Sequence, residues 1–217
     1  MPTLTLVYYL DVLSSWCFVA ERALGALREQ LGERLTLDWR LAFLFNGGPM
    51  GYSPQLSAWQ YKRLERVTGL RLNPAWRESV NDTTWWANLA TEAARGLGVA
   101  DDRVRHAISR AAMVDGVRVG RREEAVAVAA TAAGMNRSKL EQEMDHPRTA
   151  ERLWSAMMEY KSLPVSVQPA FVLRSNIGDT ALLSGLWSLE SLKACSNEML
   201  AAAEAYAKYN AESVPPT

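Results

Sequence analysis

The sequence predicts an α/β fold: a strand–helix–strand unit and a later hairpin–helix unit form one mixed sheet, with an all-helical segment inserted between them. Three observations predict it. Up to Leu41 the apolar pattern passes from a continuous run to a helical stripe to strict alternation. The middle of the chain carries helical stripes only. Beyond Leu163 two short β-rich runs return, separated by a turn and followed by a last helix.

Thr3 to Asp11 is rich in Leu, Val and Tyr with apolar residues on both faces, as expected of a strand inside a sheet. Ala20, Leu24, Leu27 and Leu31 recur at helical spacing, and Gly32 marks the end of that helix. Leu35, Leu37, Trp39 and Leu41 alternate with Thr36, Asp38 and Arg40 and predict the second strand. "FNGGPMGYSP" is a Gly- and Pro-rich break. It lacks the Gly-Lys-Ser/Thr ending of a phosphate loop and reads as a turn bordering a pocket.

Helical stripes then follow one another. Trp86, Leu89, Ala90, Ala93, Ala94 and Leu97 form one, closed by Gly98, and Val104, Ala107, Ile108, Ala111 and Ala112 form the next. Arg121 to Ala133 stops at Gly134, and Asn136 or Ser138 caps the following helix. Ala150, Leu153, Trp154, Met157 and Met158 make the last stripe, and Pro147 divides that final region into two helices. Ala170 to Leu173 and Ala181 to Leu183, joined by a turn at Asn176 to Asp179, read as an antiparallel hairpin. Leu186 to Tyr209 returns to helix, and "AESVPPT" reads as a frayed tail. Trp85, Trp86, Trp154 and Trp187 fall on helical stripes and are expected in the core.

With 217 residues, 48% of them hydrophobic, the chain can bury one large core or two interlocked ones. The expected division is a sheet domain of residues 1–45 and 164–217 with residues 46–163 as the inserted helical domain. Lys plus Arg and Asp plus Glu both number 24, and neither sign forms a long block, which argues against nucleic-acid and membrane-surface roles. No apolar run reaches the roughly 20 residues of a membrane span, and the N-terminus moves directly into a strand pattern, so the expected location is cytoplasmic. Cys17 and Cys195 are too few for a disulfide framework. His106 and His146 have no ligand set around them, and no metal is expected.

The motif at the first strand–helix turn carries a resemblance. "SSWCF" and "VQPAFVL" resemble the C-x-W-C-[YF] motif and the cis-proline segment of the DsbA-like branch of the thioredoxin superfamily, and the resemblance covers nearly the whole chain. It implies a thioredoxin-like βαβ–ββα sheet with an inserted helical domain. Ser14 stands where the attacking cysteine of that branch would be, while Cys17 keeps the resolving position. Intramolecular disulfide exchange needs two thiols, and this motif holds one. "YYLDVLSSWCF" is also similar to the D-x-x-S-P-[YW] turn of kappa-class glutathione transferases and bacterial 2-hydroxychromene-2-carboxylate isomerases, which hold the glutathione sulfur with the serine. Here Ser15 replaces the usual proline, and "LLSGLWSLESL" replaces their cofactor-contacting Gly-x-Asp-Arg-like turn with a segment closer to the oxidoreductase branch.

The resemblance therefore implies a glutathione-dependent isomerase or transferase for a small electrophile, aromatic or conjugated. Ser14 would hold the thiolate, with Ser15, Trp16, Gln168, Pro169, Ser184 and Gly185 around glutathione and substrate. Pro169 would follow a cis bond that turns the backbone of Gln168 outward to pair with the cysteinyl part of glutathione or an extended peptide; in trans it reads as an edge-strand proline. Taken alone, Ser14 reads as an ordinary helix cap, a role Ser15 fills equally well, and Cys17 as a buried inert thiol. Two other readings stand beside the first. One is a DsbA-family oxidoreductase using Cys17 as a single thiol, and the other is a non-catalytic module that binds extended peptides. The sequence leaves the oligomeric state open, a homodimer included.

Overall fold

The computed structural model describes residues 1–77, 81–185 and 188–212. In chain order the elements are strand β1 (Leu4–Leu10), helix α1 (Ser15–Leu31), strand β2 (Leu35–Leu41), helices α2 (Pro54–Thr68), α3 (Trp85–Gly96), α4 (Arg103–Met113), α5 (Arg122–Ala133), α6 (Arg137–Asp145) and α7 (Pro147–Ser162), strands β3 (Ala170–Ser175) and β4 (Thr180–Ser184), and helix α8 (Leu189–Glu212). The expected α/β order is present, with α8 beginning after Leu186 and Trp187, which lie outside the described residues together with the end of the tail. The chain divides into two compact units: Met1–Tyr9, Ala20–Arg40 and Val165–Thr217 form one, Leu10–Val19 and Leu41–Pro164 the other. The division crosses β1 and α1.

The first unit contains a four-stranded sheet of order β2-β1-β3-β4. β1 and β3 are its internal strands, which is why their sequences run apolar on both faces instead of alternating. They pair antiparallel, with Leu6 opposite Leu173 and Tyr8 opposite Phe171. The two rings stack at 4.9 Å. β4 pairs antiparallel with β3 through a turn where Gly178 takes φ +98° and the Asp179 N–H donates to Ser175 Oγ at 3.1 Å. α1 buries Ala20, Leu24, Leu27 and Leu31, the stripe read from spacing, and α8 buries Leu192, Met199, Leu200 and Ala203.

The second unit is helical around α3, whose residues Ala87 to Ala94 are all buried and which packs against α4, α5, α6 and α7. Alanines line the α3 and α5 faces and let the helices approach closely. Glu92, 0% exposed, is ion-paired with Arg95 and with Arg152 Nε at 2.9 Å, and Arg152 Nη2 continues to Glu143 Oε1 at 3.0 Å. Arg152 reaches Glu92 past Gly96: a Cβ there would collide with Arg152 Nη2 and come within 2.8 Å of Glu143 Oε1. Pro147 divides α6 from α7 as expected and occupies the first helical turn of α7. Of the two expected caps, Asn136 is used, accepting the Ser138 N–H at 2.8 Å. Among the described residues no helix is long and apolar enough to cross a membrane.

The tryptophans correct the sequence expectation. Trp85 and Trp86 are half-buried, and Trp154 and Met158 are exposed. Trp187 lies outside the described residues. The alanine-lined helix interfaces leave no room for an indole. Trp154 and Trp85 instead pack edge-on around Phe43, at 4.7 and 5.4 Å between centroids. Buried indoles are found instead at Trp39 in β2 and at Trp76, whose Nε1 donates to Tyr61 Oη at 2.7 Å.

Leu27 is 0% exposed on the buried stripe of α1. Leu27→Ala is expected to lower unfolding stability by about 2–5 kcal/mol, read as a fall in the urea midpoint at unchanged slope.

Candidate active site

β1 ends against Asp11, which is 0% exposed. Its Oδ1 accepts the Leu13 N–H and its Oδ2 the Leu44 N–H, both at 2.7 Å, while its backbone carbonyl accepts the Ser14 N–H at 3.0 Å. One side chain thus fixes the turn into α1 and ties it to the segment after β2. Val12 is held from the helical side: its N–H donates to Asn88 Oδ1 at 3.3 Å and its carbonyl accepts Ser109 Oγ at 2.7 Å. Burial pushes the Asp11 carboxyl above its ordinary value of 3.8, opposed by the nearby polar side chains of Thr84 and Asn88 and by the hydrogen-bonding amides of Leu44 and Leu13.

This turn delivers Ser14 to the start of α1. Its Oγ accepts the Cys17 N–H at 3.3 Å and its carbonyl accepts the Phe18 N–H at 2.9 Å, so Ser14, and not Ser15, is the cap. Ser14 is 8% exposed, and its hydroxyl donates to no described protein atom. No acidic side chain stands in the first turn to offset the positive end of the helix. Ser15 and Trp16 are half-buried.

Cys17 is 1% exposed, inside the helix and away from solvent. Tyr160 of α7 faces it: burial raises the Tyr160 hydroxyl above its ordinary value and the Cys17 sulfur raises it further, so the phenol stays protonated beside the sulfur. Cys195 is half-buried on α8, its Sγ 3.9 Å from Met199 Sδ, and burial raises its thiol as well.

The segment after β2 forms an aromatic wall that sequence reading reduced to a turn. Leu44, bonded to Asp11, sits between Phe43, which packs on Trp85 and Trp154, and Phe45, which packs edge-on to Tyr52 at 5.3 Å. Phe45, Asn46 and Gly47 take φ values of 55°, 52° and 77° in succession. Only Gly47 adopts this region without strain, and a Cβ there would meet Trp85 Cε3 at 3.0 Å. The "FNGG" in the sequence was the available signal, since Asn-Gly favours left-handed backbone.

In the sheet unit the Gln168–Pro169 bond is cis. Gln168 and Pro169 are buried, Gln168 at 8% exposure, and Val167 beside them is 55% exposed. Ser184 Oγ donates to the Val167 carbonyl at 2.6 Å, and the Gly185 N–H donates to the Pro169 carbonyl at 2.8 Å with Gly185 at φ +70°. Ser184 and Gly185 therefore brace the segment around Pro169. The helical unit gathers Ser14, Ser15, Trp16 and Cys17, and the sheet unit gathers Gln168, Pro169, Ser184 and Gly185. Among the described residues no group of three His, Cys, Asp or Glu side chains is placed to hold a metal ion.

A four-stranded sheet of this order carrying a helical insertion, with a cis-proline ahead of its hairpin, defines a thioredoxin-type protein. The chain belongs to the DSBA-like thioredoxin domain family, which it matches over residues 5–195. Among solved structures, one from Nitrosomonas europaea, described provisionally as a protein disulfide isomerase, is similar with a TM-score of 0.77 and 19% identity, covering 92% of this chain and 98% of its own. The cytosolic disulfide reductase DsbM from Pseudomonas aeruginosa, in a structure with GSH, gives a TM-score of 0.65 and 19% identity, covering 94% of this chain and 99% of its own. A 2-hydroxychromene-2-carboxylate isomerase gives 0.62 and 17%, covering 94% and 98%. These likenesses establish the fold. No curated protein sequence matches.

Asp11→Asn can accept only one of the two amides, and the loss of stability expected at neutral pH is about 1–3 kcal/mol. The raised folded-state pKa makes the Asp11 contribution full below the unfolded-state value and lost as pH rises through the folded one. The gap between wild type and variant should therefore be wider in urea titrations at about pH 5 than at about pH 8. In the native protein a thiol alkylating reagent should modify Cys195 well before Cys17, with Cys17 reacting once the chain is unfolded, as read by peptide mass analysis.

Proposed function

We propose that the protein is a glutathione-dependent isomerase or transferase acting on a small electrophilic substrate, with Ser14 holding the sulfur as a thiolate at the start of α1. The observation that carries this reading is the Ser14 hydroxyl. It accepts the Cys17 N–H and has its own proton left to donate, at a helix start with no acidic side chain. The family's first sulfur is replaced by a hydrogen-bond donor, and the motif's remaining sulfur is buried. A sulfur supplied from outside the chain fits that arrangement.

The magnitudes are sufficient. Lowering a thiol pKa by two units needs about 2.7 kcal/mol of preference for the charged form. A hydrogen bond to a charged acceptor contributes about 1.5–3 kcal/mol and a helix terminus about 0.3–1 kcal/mol. Glutathione, when bound, supplies a thiolate able to add to an electrophile or reversibly to a conjugated double bond. The chain's own part is to donate the Ser14 proton toward the sulfur and keep its position fixed through the Asp11 turn. Cys17, sealed against Tyr160, has no part in the reaction.

Ser14→Ala is expected to raise the pKa of the bound glutathione thiol by about 1–2 units, followed by thiolate ultraviolet absorbance, and to slow turnover of an electrophilic substrate about 10–100-fold. Cys17→Ala should leave both unchanged, and immobilised glutathione should retain the wild type. A silent Ser14→Ala together with loss of disulfide reduction in Cys17→Ala would transfer the assignment to a single-thiol oxidoreductase. Capture of extended peptides without turnover of either substrate class would make the protein a binding module.

A further inference from the structure

We propose that Arg77 forms a carboxylate-binding site in the helical unit, presenting the outer edge of its guanidinium to an organic carboxylate beside the ring of Tyr52. The site uses no residue of α1 and stands whether or not glutathione is the cofactor.

The argument starts from how Arg77 is held. Its Nε donates to Ser57 Oγ at 3.0 Å and its Nη2 to Gln60 Oε1 at 2.9 Å, both on α2. Ser57 is 2% exposed, so this anchor is internal. Three rings surround the guanidinium carbon, Tyr52 at 4.8 Å, Tyr61 at 5.6 Å and Trp76 at 5.7 Å. The Tyr61 and Trp76 rings are fixed in turn, because Trp76 Nε1 donates to Tyr61 Oη and Tyr61 Oη donates to Met113 Sδ at 3.5 Å.

This cation has no direct counter-charge among the described residues. Among the described residues no carboxylate lies within ion-pair distance of Arg77, and Asp82 acts on it only from further away. Three other partly or fully buried arginines of the same unit are ion-paired: Arg95 with Glu92, Arg105 with Asp102, and Arg152 with Glu92 and Glu143. Half-burial without an anion depresses the Arg77 pKa, with Tyr61, Tyr52 and Asp82 pulling the other way. A desolvated charge of this kind is costly to retain unless something completes it.

The donor inventory says what would complete it. A guanidinium carries five N–H groups, and the neutral acceptors Ser57 and Gln60 use the Nε/Nη2 side. Among the described residues Nη1 has no protein acceptor, and with the second N–H of Nη2 it makes a flat two-pronged edge. That edge matches the two oxygens of a carboxylate. Phe45, 38% exposed and edge-on to Tyr52, extends the aromatic surface and favours a carboxylate carried on an apolar body.

The test titrates the full chain with benzoate, benzamide and inorganic phosphate, followed by chemical-shift changes of the Tyr52 ring. Benzoate should saturate, with benzamide and phosphate at least about tenfold weaker. Arg77→Gln should abolish the preference for benzoate over benzamide, and Arg77→Lys, which keeps the charge but not the flat edge, should weaken benzoate about tenfold. The benzoate-to-benzamide ratio on the unmutated protein decides the matter even where a variant folds poorly. Equal binding of the two, failure of benzoate to saturate, stronger binding of phosphate, or benzoate affinity unchanged in a folded Arg77→Gln would each overturn the proposal.

Discussion

The Asp11 carboxylate, wholly removed from water, is the interaction on which the candidate site depends. It receives one amide from the turn ahead of α1 and another from the segment after β2, 33 residues further along. A buried carboxylate is tolerated only when its oxygens are hydrogen-bonded, so the two strand ends cannot part without stranding a desolvated acceptor. That requirement sets where α1 begins, and hence where the Ser14 hydroxyl lies. It also places Leu44 between Phe43 and Phe45 and so aims their rings at Trp85 and Tyr52.

The resemblance read in the sequence sets Ser14 where the attacking cysteine of the DsbA-like motif would stand. Where the family's motif begins with a thiol, Ser14 offers a hydroxyl, which cannot enter disulfide exchange but can stabilise a sulfur brought to it. The second motif position keeps a cysteine, and it is buried at 1% exposure.

The sheet was legible because internal and edge strands differ in pattern: β1 and β3 carry consecutive buried apolar residues, Leu6 to Leu10 and Ala170 to Leu173, and β2 alternates. Helix ends were legible where local chemistry fixes them, at Gly134, Asn136 and Pro147. The segment around Ser14 was found through its motif, and its cap geometry followed the ordinary rule for serine. What stayed hidden is set by distant side chains. Nothing in the local pattern around Asp11 announces Leu44 as its partner, and nothing on the stripe of Trp154 says that alanines fill the interior in its place. Gln168 lies largely buried beside a loop braced by Ser184 and Gly185, contacts that the local sequence does not announce. Arg77 had no motif at all; its enclosure arises from three rings and two polar groups contributed by separate segments.

Gly96 leaves a notch at the end of α3, and Arg152 passes through it to neutralise Glu92. Two positions on one turn of α3 and one on α7 are thereby coupled. A side chain added at 96 displaces the cation, a shorter residue at 152 leaves the notch vacant, and either change leaves the buried Glu92 with Arg95 as its remaining ion-pair partner. The energetic cost of altering one of the three positions therefore depends on what stands at the other two.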